Sequence, residues 1–390
     1  MTMKLKSILT VAAIALLTVV GQAVKAQDYN PIPVAVPSLQ IAPDARGGGM
    51  GDIGVATMPD VYSQHWNAAK YPFVTSNAGF SLSYTPWLSK LVSDIDLVYV
   101  TGFMKFGNDN LNALSASLRY FSLGDIAITN ELGEFFQNAS PYEMAFDVAY
   151  SRKLTETFSG AVTLRYIHTD YSYGLDEEIG PGSAFAADIA GYNESYIRMG
   201  ANEALLGLGF NISNIGTKIS YDGGNTSMFI PANLRVGASL GYPIDDKNTI
   251  SFSMDINKLL VPTPQLPVEG ETAEQQQQRI EDYNNTSSIA GIFKSFGDAP
   301  GGMKEEMQEV MWSLGAEYMY NNQFSVRAGY FNENEYKGNR KYFAVGAGFK
   351  MSAFQLDAAY LISTAQSNPL DQTLRLSLGF DMDGIRQLFR

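Results

Sequence analysis

Asn233-Leu234-Arg235-Val236-Gly237-Ala238-Ser239-Leu240-Gly241-Tyr242 decides the fold. Leu234, Val236, Ala238, Leu240 and Tyr242 alternate with Asn233, Arg235, Gly237, Ser239 and Gly241, so an extended chain here has one apolar and one polar face. The same period of two runs through 250–257, where Ile250, Phe252, Met254 and Ile256 interleave with Ser251, Ser253, Asp255 and Asn257. It runs through 373–380, where Leu374, Leu376, Leu378 and Phe380 interleave with Thr373, Arg375, Ser377 and Gly379, and it recurs in 204–213, 312–320, 323–330 and 354–362. A soluble sandwich also alternates, with its apolar face turned inward, so the connections have to separate the two architectures.

Strands are expected at 78–86, 93–106, 111–123, 142–153, 156–170, 184–197, 203–214, 232–243, 248–258, 311–320, 323–331, 341–350, 353–363 and 372–382. Every even-numbered connection is short (107–110, 154–155, 198–202, 244–247, 321–322, 351–352), whereas the odd-numbered ones are mostly longer. Alternating short turns and long loops is the pattern of a membrane barrel, with turns in the periplasm and loops outside; Greek-key crossings would break it. The expected class is therefore all-β: a transmembrane antiparallel β-barrel of about 14 strands. With an even strand count both barrel ends face the periplasm, and the longest loop, 259–310, is extracellular. That loop carries helical candidates around 273–283 and 302–310.

Working outward, Lys4 and Lys6 precede an apolar run from Ile8 to Val20, and Val24-Lys25-Ala26 resembles a small-x-small cleavage site. Residues 1–26 read as a secretory signal peptide, cleaved near Ala26, with an apolar core too short to anchor in a bilayer. Residues 27–76 are broken by Pro31, Pro33, Pro37, Pro43 and Pro59 and by Gly47-Gly48-Gly49-Met50-Gly51, and read as an N-terminal periplasmic or hatch segment before a barrel over 77–390. Charged residues are only 17% of the chain, below the roughly one quarter usual for soluble domains, while Tyr and Phe number 22 each. A net charge of −13 repels phosphate backbones, so no nucleic-acid partner is expected. With no Cys and only His65 and His168, neither a disulfide framework nor a Cys- or His-based metal site is available, and no cofactor is expected.

The motifs that suggest chemistry read better as structure. Gly49-Met50-Gly51-Asp52-Ile53-Gly54 fits G-x-G-x-x-G, but Pro43 and Pro59 flank it where a dinucleotide site needs a strand and a helix. Asp381-Met382-Asp383-Gly384 begins like a calcium loop without the later ligands and reads as a polar strand terminus. His168 shares a face with Leu164 and Tyr166, and no nucleophile can be paired with it from the sequence, so no catalytic residues are expected. Asp94, Asp96, Arg119, Asp147, Arg165, Asp188, Arg235, Asp255, Glu317, Arg327, Asp357 and Arg375 fall on the polar phase and are expected to form a mixed-charge lumen network.

The segment Ala45-Arg46-Gly47-Gly48-Gly49-Met50-Gly51-Asp52-Ile53-Gly54-Val55-Ala56, followed by Tyr62-Ser63-Gln64-His65-Trp66-Asn67-Ala68-Ala69, resembles the N-terminal signature of the PorV/PorQ group. That group is similar to FadL-type fatty-acid transporter barrels, with fourteen strands and an N-terminal hatch. Their Asn-Pro-Ala segment is replaced here by Asn67-Ala68-Ala69, without the Pro, while Ala184-Phe185-Ala186-Ala187-Asp188-Ile189-Ala190 also resembles the superfamily. The likeness covers essentially the whole mature chain. It implies a non-enzymatic outer-membrane component of the type IX secretion system of Bacteroidota. It further implies association with the giant translocon barrel, binding of secreted cargo through C-terminal signal domains, and delivery to an attachment complex that includes a PorU-like sortase, all in contact with outer-membrane lipids and LPS. A FadL-like transporter of hydrophobic small molecules and a lipid A O-deacylase are the alternatives; the first needs a continuous apolar path and the second a catalytic constellation. Arg46, Gly49, Gly51, Trp66 and Asn67 are the expected hatch residues. On the long loop, Leu259, Leu260, Val261, Leu266, Ile289, Ile292, Phe293 and Phe296 are candidate cargo or partner contacts, because a purely solvated loop would not leave such residues bare.

Overall fold

In a computed structural model of the chain, strands alternate direction around a closed wall. The structure describes residues 29–389 apart from 89–91, 93, 108, 130–132, 173–179, 225, 268–269 and 365–370. The leader expected over 1–26 lies outside the described residues. The first strands are β1 (Ala78–Pro86), β2 (Ile95–Phe106) and β3 (Asn112–Leu123), followed by a short separate hairpin of β4 (Ile126–Thr129) and β5 (Phe135–Ala139). The wall continues with β6 (Tyr142–Lys153), β7 (Phe158–Asp170), β8 (Gly182–Met199), β9 (Asn202–Gly216), β10 (Asn233–Pro243) and β11 (Asn248–Leu259). It ends with β12 (Val310–Tyr320), β13 (Phe324–Asn332), β14 (Lys341–Lys350), β15 (Phe354–Ser363) and β16 (Leu374–Asp381). Leaving out β4 and β5, fourteen strands close, with β1 pairing β16 in the register Leu82↔Leu378.

The exposure pattern states what solvent the wall meets. Phe252 is 58% exposed, whereas Asp255, three residues on, is 0% exposed. Phe80, Leu82 and Tyr84 of β1 face out while Ser81, Ser83 and Thr85 are buried inside. A water-soluble protein buries its apolar face; this inversion belongs to a barrel whose outer face lies in hydrocarbon. Aromatic pairs mark both margins of that face. At the short-turn end Phe80 stacks on Phe380 with ring centres 4.5 Å apart, and Phe324 meets Phe349 at 5.0 Å. At the long-loop end Tyr120 stacks on Tyr142 at 5.5 Å, and Trp312, Tyr330 and Phe343 form a run. Such girdles sit at the lipid–water interfaces. No helix among the described residues is long and apolar enough to cross a membrane.

Three expectations change. Asp96 lies on the outward face of β2, where it accepts a hydrogen bond from Tyr84 Oη at 2.6 Å; the inward positions are Leu97, Tyr99, Thr101 and Phe103. Asp94 precedes that strand and accepts from the backbone N–H of Asp125 at 2.8 Å, so neither residue joins the lumen network. Asp381 does not merely end a strand. Its side chain caps the helix Met382–Leu388 by accepting from the N–H groups of Asp383 and Gly384.

Candidate functional site

The N-terminal segment lies within the lumen. Pro and Gly prevent it from pairing as a strand, so its polar groups need other partners, and the inward faces of the wall supply them. Arg46 donates from Nε and Nη2 to the Glu317 carboxylate of β12, each at 3.2 Å, and from Nη1 to Asp60 at 2.5 Å and the Met58 carbonyl at 3.0 Å. Arg327 of β13 bridges the same Glu317 at 2.6 Å to Asp357 of β15 at 2.7 Å, and Tyr62 donates to Asp357 at 3.0 Å. Asp52 takes Arg375 of β16 and Tyr342 of β14, both at 2.5 Å. The N–H groups of Gly54 and Val55 converge on Asp255 of β11 at 2.9 and 3.1 Å. On the opposite wall Gln64 reaches Asp147 at 2.6 Å, and Arg119 Nη1 donates to the carbonyls of Ser38 at 2.5 Å and Ile41 at 3.1 Å. Contacts to strands all round the barrel place the segment inside it.

The signature residues have distinct tasks. Trp66 is buried and donates its indole N–H to Asp44 at 2.5 Å, and the Arg235 guanidinium lies over its ring at 4.7 Å. Asn67 donates to the carbonyls of Val55 and Gly191, both at 2.9 Å, and accepts from the Ala69 N–H at 3.0 Å. Gly51 has φ +80° and passes so close to Tyr330 that an added Cβ would lie 2.8 Å from its backbone N. A Cβ on Gly49 would meet Gly346 Cα at 3.1 Å. The G-x-G-x-x-G run is thus a turn pressed against the wall.

Burial shapes the charges of this segment. Burial, and next the neighbouring Asp60, push the Asp44 carboxyl up to about 6. Burial brings Lys70 down to about 8, although Asp60 opposes this; its ammonium donates to the Gly54 carbonyl at 2.9 Å and Thr57 Oγ1 at 3.0 Å. Burial, followed by the field of Arg119 and Arg235, holds His65 well below its ordinary value, and its Nδ1 lies 3.1 Å from Arg119 Nη2. At the far wall Ser213 and Asn214 bulge opposite Asp188, since Ile215 pairs with Ala187 but Ile212 with Ile189. Asn214 adopts φ +58°, donates its N–H to Asp188 at 2.8 Å, and accepts from Arg165, which also bridges Asp147 and Asp188.

The long loop is a folded unit. It contains helices Ala273–Asn285, Ser288–Lys294 and Met303–Gln308. Thr272 and Gln275 form a capping box on the first, and Ser287 caps the second. A buried ionic cluster fastens the loop to the rim: Lys258 bonds Glu306 at 3.1 Å and Glu309 at 2.6 Å, and Lys337 bonds Glu305 at 2.5 Å and Glu309 at 3.0 Å. Of the candidate contacts, Phe293 is 75% exposed, and Ile289 and Phe296 also stand free. Ile292 and Leu266 are half-buried. Leu260 and Val261, at 3% and 1% exposed, are core residues, and Leu259 packs on Met311, Phe331, Tyr342 and Leu361; the chain is still leaving β11 there, so these three anchor the loop and offer no surface. Met303 and Met307 join the exposed set and escaped the sequence reading, because their helix carries Lys304, Glu305 and Glu306 between them.

His168 has a neighbour that the linear sequence did not reveal. Its Nδ1 lies 2.9 Å from Ser183 Oγ on the adjacent strand, and that hydroxyl also contacts Tyr166 Oη at 3.1 Å. Among the described residues no carboxylate is hydrogen-bonded to the ring. The group sits in the outer aromatic margin, with Tyr166 stacked at 6.3 Å.

A family model described as type IX secretion system protein PorV matches residues 24–266, more than half of the chain. The chain belongs to the PorV family. As such it is an outer-membrane β-barrel of type IX secretion. Comparison with curated proteins gives no match. Solved structures similar to this PorV-family barrel include the Pseudomonas putida toluene transporter TodX, with TM-score 0.49 and 10% identity over 91% of this chain and 99% of that one. They also include the Ralstonia pickettii toluene transporter TbuX, with TM-score 0.44 and 13% identity over 87% and 96%. A Pseudomonas aeruginosa FadL homologue gives TM-score 0.44 and 10% identity over 90% and 99%.

Proposed function

We propose that this PorV-family barrel is a non-enzymatic docking and transfer subunit. It receives secreted cargo through the cargo's C-terminal signal domain beside the translocon barrel and passes it to the attachment complex that holds a PorU-like sortase. The observation that carries this reading is the contrast between the two ends of the molecule. Inside, the N-terminal segment lies among the lumen charges, and Arg46, Gly49, Gly51, Trp66 and Asn67 are read as the residues of a hatch. Outside, the rim-fastened loop presents Ile289, Phe293, Phe296, Met303 and Met307 to solvent. A few apolar anchors ringed by polar groups suit recognition of a protein surface. The short turns at the other end offer no comparable area, so the long-loop end is read as extracellular.

Replacing 262–300 with a short Gly/Ser linker tests the reading. The expected outcome is a folded barrel, shown by heat-modifiable gel migration, together with loss of cargo from the cell surface. Normal cargo display would remove Ile289, Phe293 and Phe296 from the docking site.

A further inference from the structure

A recessed surface lies at the long-loop end, beside the lumen. It is an open cleft of about 730 Å³ between the base of the β4–β5 hairpin, the start of β6, Tyr171 just after β7, and Tyr221 and Asp222 beyond β9. Leu123 and Ile126 form an apolar side. Tyr171 and Tyr221 face it as a tilted pair, ring centres 5.0 Å apart. Glu143 lies at the floor, 2% exposed, and accepts from Tyr171 Oη at 2.6 Å and the Ser38 N–H at 3.1 Å. Asp222 stands at the rim, held by the Thr226 N–H at 2.9 Å and Ser220 Oγ at 2.8 Å. Among the described residues, the lining includes two carboxylates and neither Lys nor Arg.

We propose that this cleft binds the Lys or Arg side chain of an extended peptide. Each requirement of such a side chain has a counterpart here. The aliphatic stem packs along Leu123 and Ile126, since long cationic side chains bury their methylenes and keep the charge polar. The cationic head meets two tyrosine faces. A carboxylate oxygen that accepts one hydrogen bond retains a further lone pair, so Glu143 receives the cation without giving up Ser38 or Tyr171. The chain's charge of −13 draws basic segments toward it and repels acidic ones. Assigning the peptide to secreted cargo rests on the docking reading above; the chemistry of the cleft does not.

The test uses the full barrel in detergent and a fluorescent, end-blocked peptide alternating Val and Lys, with a norleucine-for-Lys version as control, followed by anisotropy. The Lys peptide is expected to bind roughly tenfold or more tighter than the control and to weaken at about 0.5 M salt. Glu143→Gln should weaken Lys-peptide binding by roughly tenfold. Because Glu143 also braces Ser38, Asp222→Asn at the exposed rim provides a second variant, with heat-modifiable migration confirming the fold; a smaller loss of about threefold is expected. Equal binding of the two peptides overturns the proposal, as does unchanged affinity in both variants. The barrel with 262–300 replaced should keep its Lys-peptide affinity. A docking failure and a cleft failure therefore show up in different measurements.

Discussion

At the residue scale, Asp44 connects the sequence signature to the stability of the segment inside the lumen. It accepts from the Gly47 N–H at 2.8 Å and from Trp66 at 2.5 Å, yet burial raises its carboxyl from 3.8 to about 6. A raised acid binds its proton more readily folded than unfolded, so the folded state gains stability as pH falls through about 6 and loses that gain as pH rises. Between pH 7 and pH 5 the gain is on the order of 1 kcal/mol. Asp44→Asn should flatten this part of the profile, measured as the difference in urea midpoint between about pH 5 and pH 7 with intrinsic fluorescence; an unaltered slope would remove Asp44 as its source. Arg46 and Trp66 were set apart from the wall in the sequence because a Gly-rich, Pro-bounded run cannot form a barrel strand. Asp96 was misread because polarity was taken as a proxy for facing inward. Near the end of a strand, water and a tyrosine hydroxyl satisfy a carboxylate equally well. The Ser183–His168 contact was illegible for a different reason, since it depends on register between two strands.

At the scale of elements, the long loop illustrates what periodicity can and cannot reveal. Its first and third helices were expected within a few residues of where they lie. The middle helix, Ser288–Lys294, has only seven residues and contains Gly291, so it reads as loop. That glycine lets the helix approach Pro262 and Phe229, each 3.0 Å from where a Cβ would stand. The β4–β5 hairpin was passed over because its strands are short and have no place in the wall. What holds the loop is the cluster of Lys258 and Lys337 with Glu305, Glu306 and Glu309. Lys337→Met would leave the buried Glu305 without its cation and Glu309 with Lys258 alone, at a cost of about 3–5 kcal/mol for one broken buried pair. The expected result is a loop newly cut by protease within 262–300 on a barrel that still resists digestion. Protection equal to wild type would mean that Lys258 with its two carboxylates and the packing of Leu259, Leu260 and Val261 suffice.

At the scale of the whole molecule, the barrel was legible because two independent patterns, alternation and connection length, agreed. Which lumen charges pair was not legible, because partners such as Arg46 and Glu317 are brought together only by closure of the ring. If the segment seals the barrel, deleting 46–76 should leave heat-modifiable protein in the membrane and make cells sensitive to large antibiotics; unchanged permeability would count against a seal. The ring of contacts also bears on biogenesis. The Ala45 N–H bonds Ser377, and Asp52 bonds Arg375, across 332 and 323 positions of chain. Contacts of such separation are late and slow to form. The head of the polypeptide is therefore completed by its tail, and a chain truncated before β16 keeps Asp52 without its guanidinium partner. An unfinished copy thus lacks the bonds that tie its N-terminal segment to the last strand, whereas a finished one closes its own clasp.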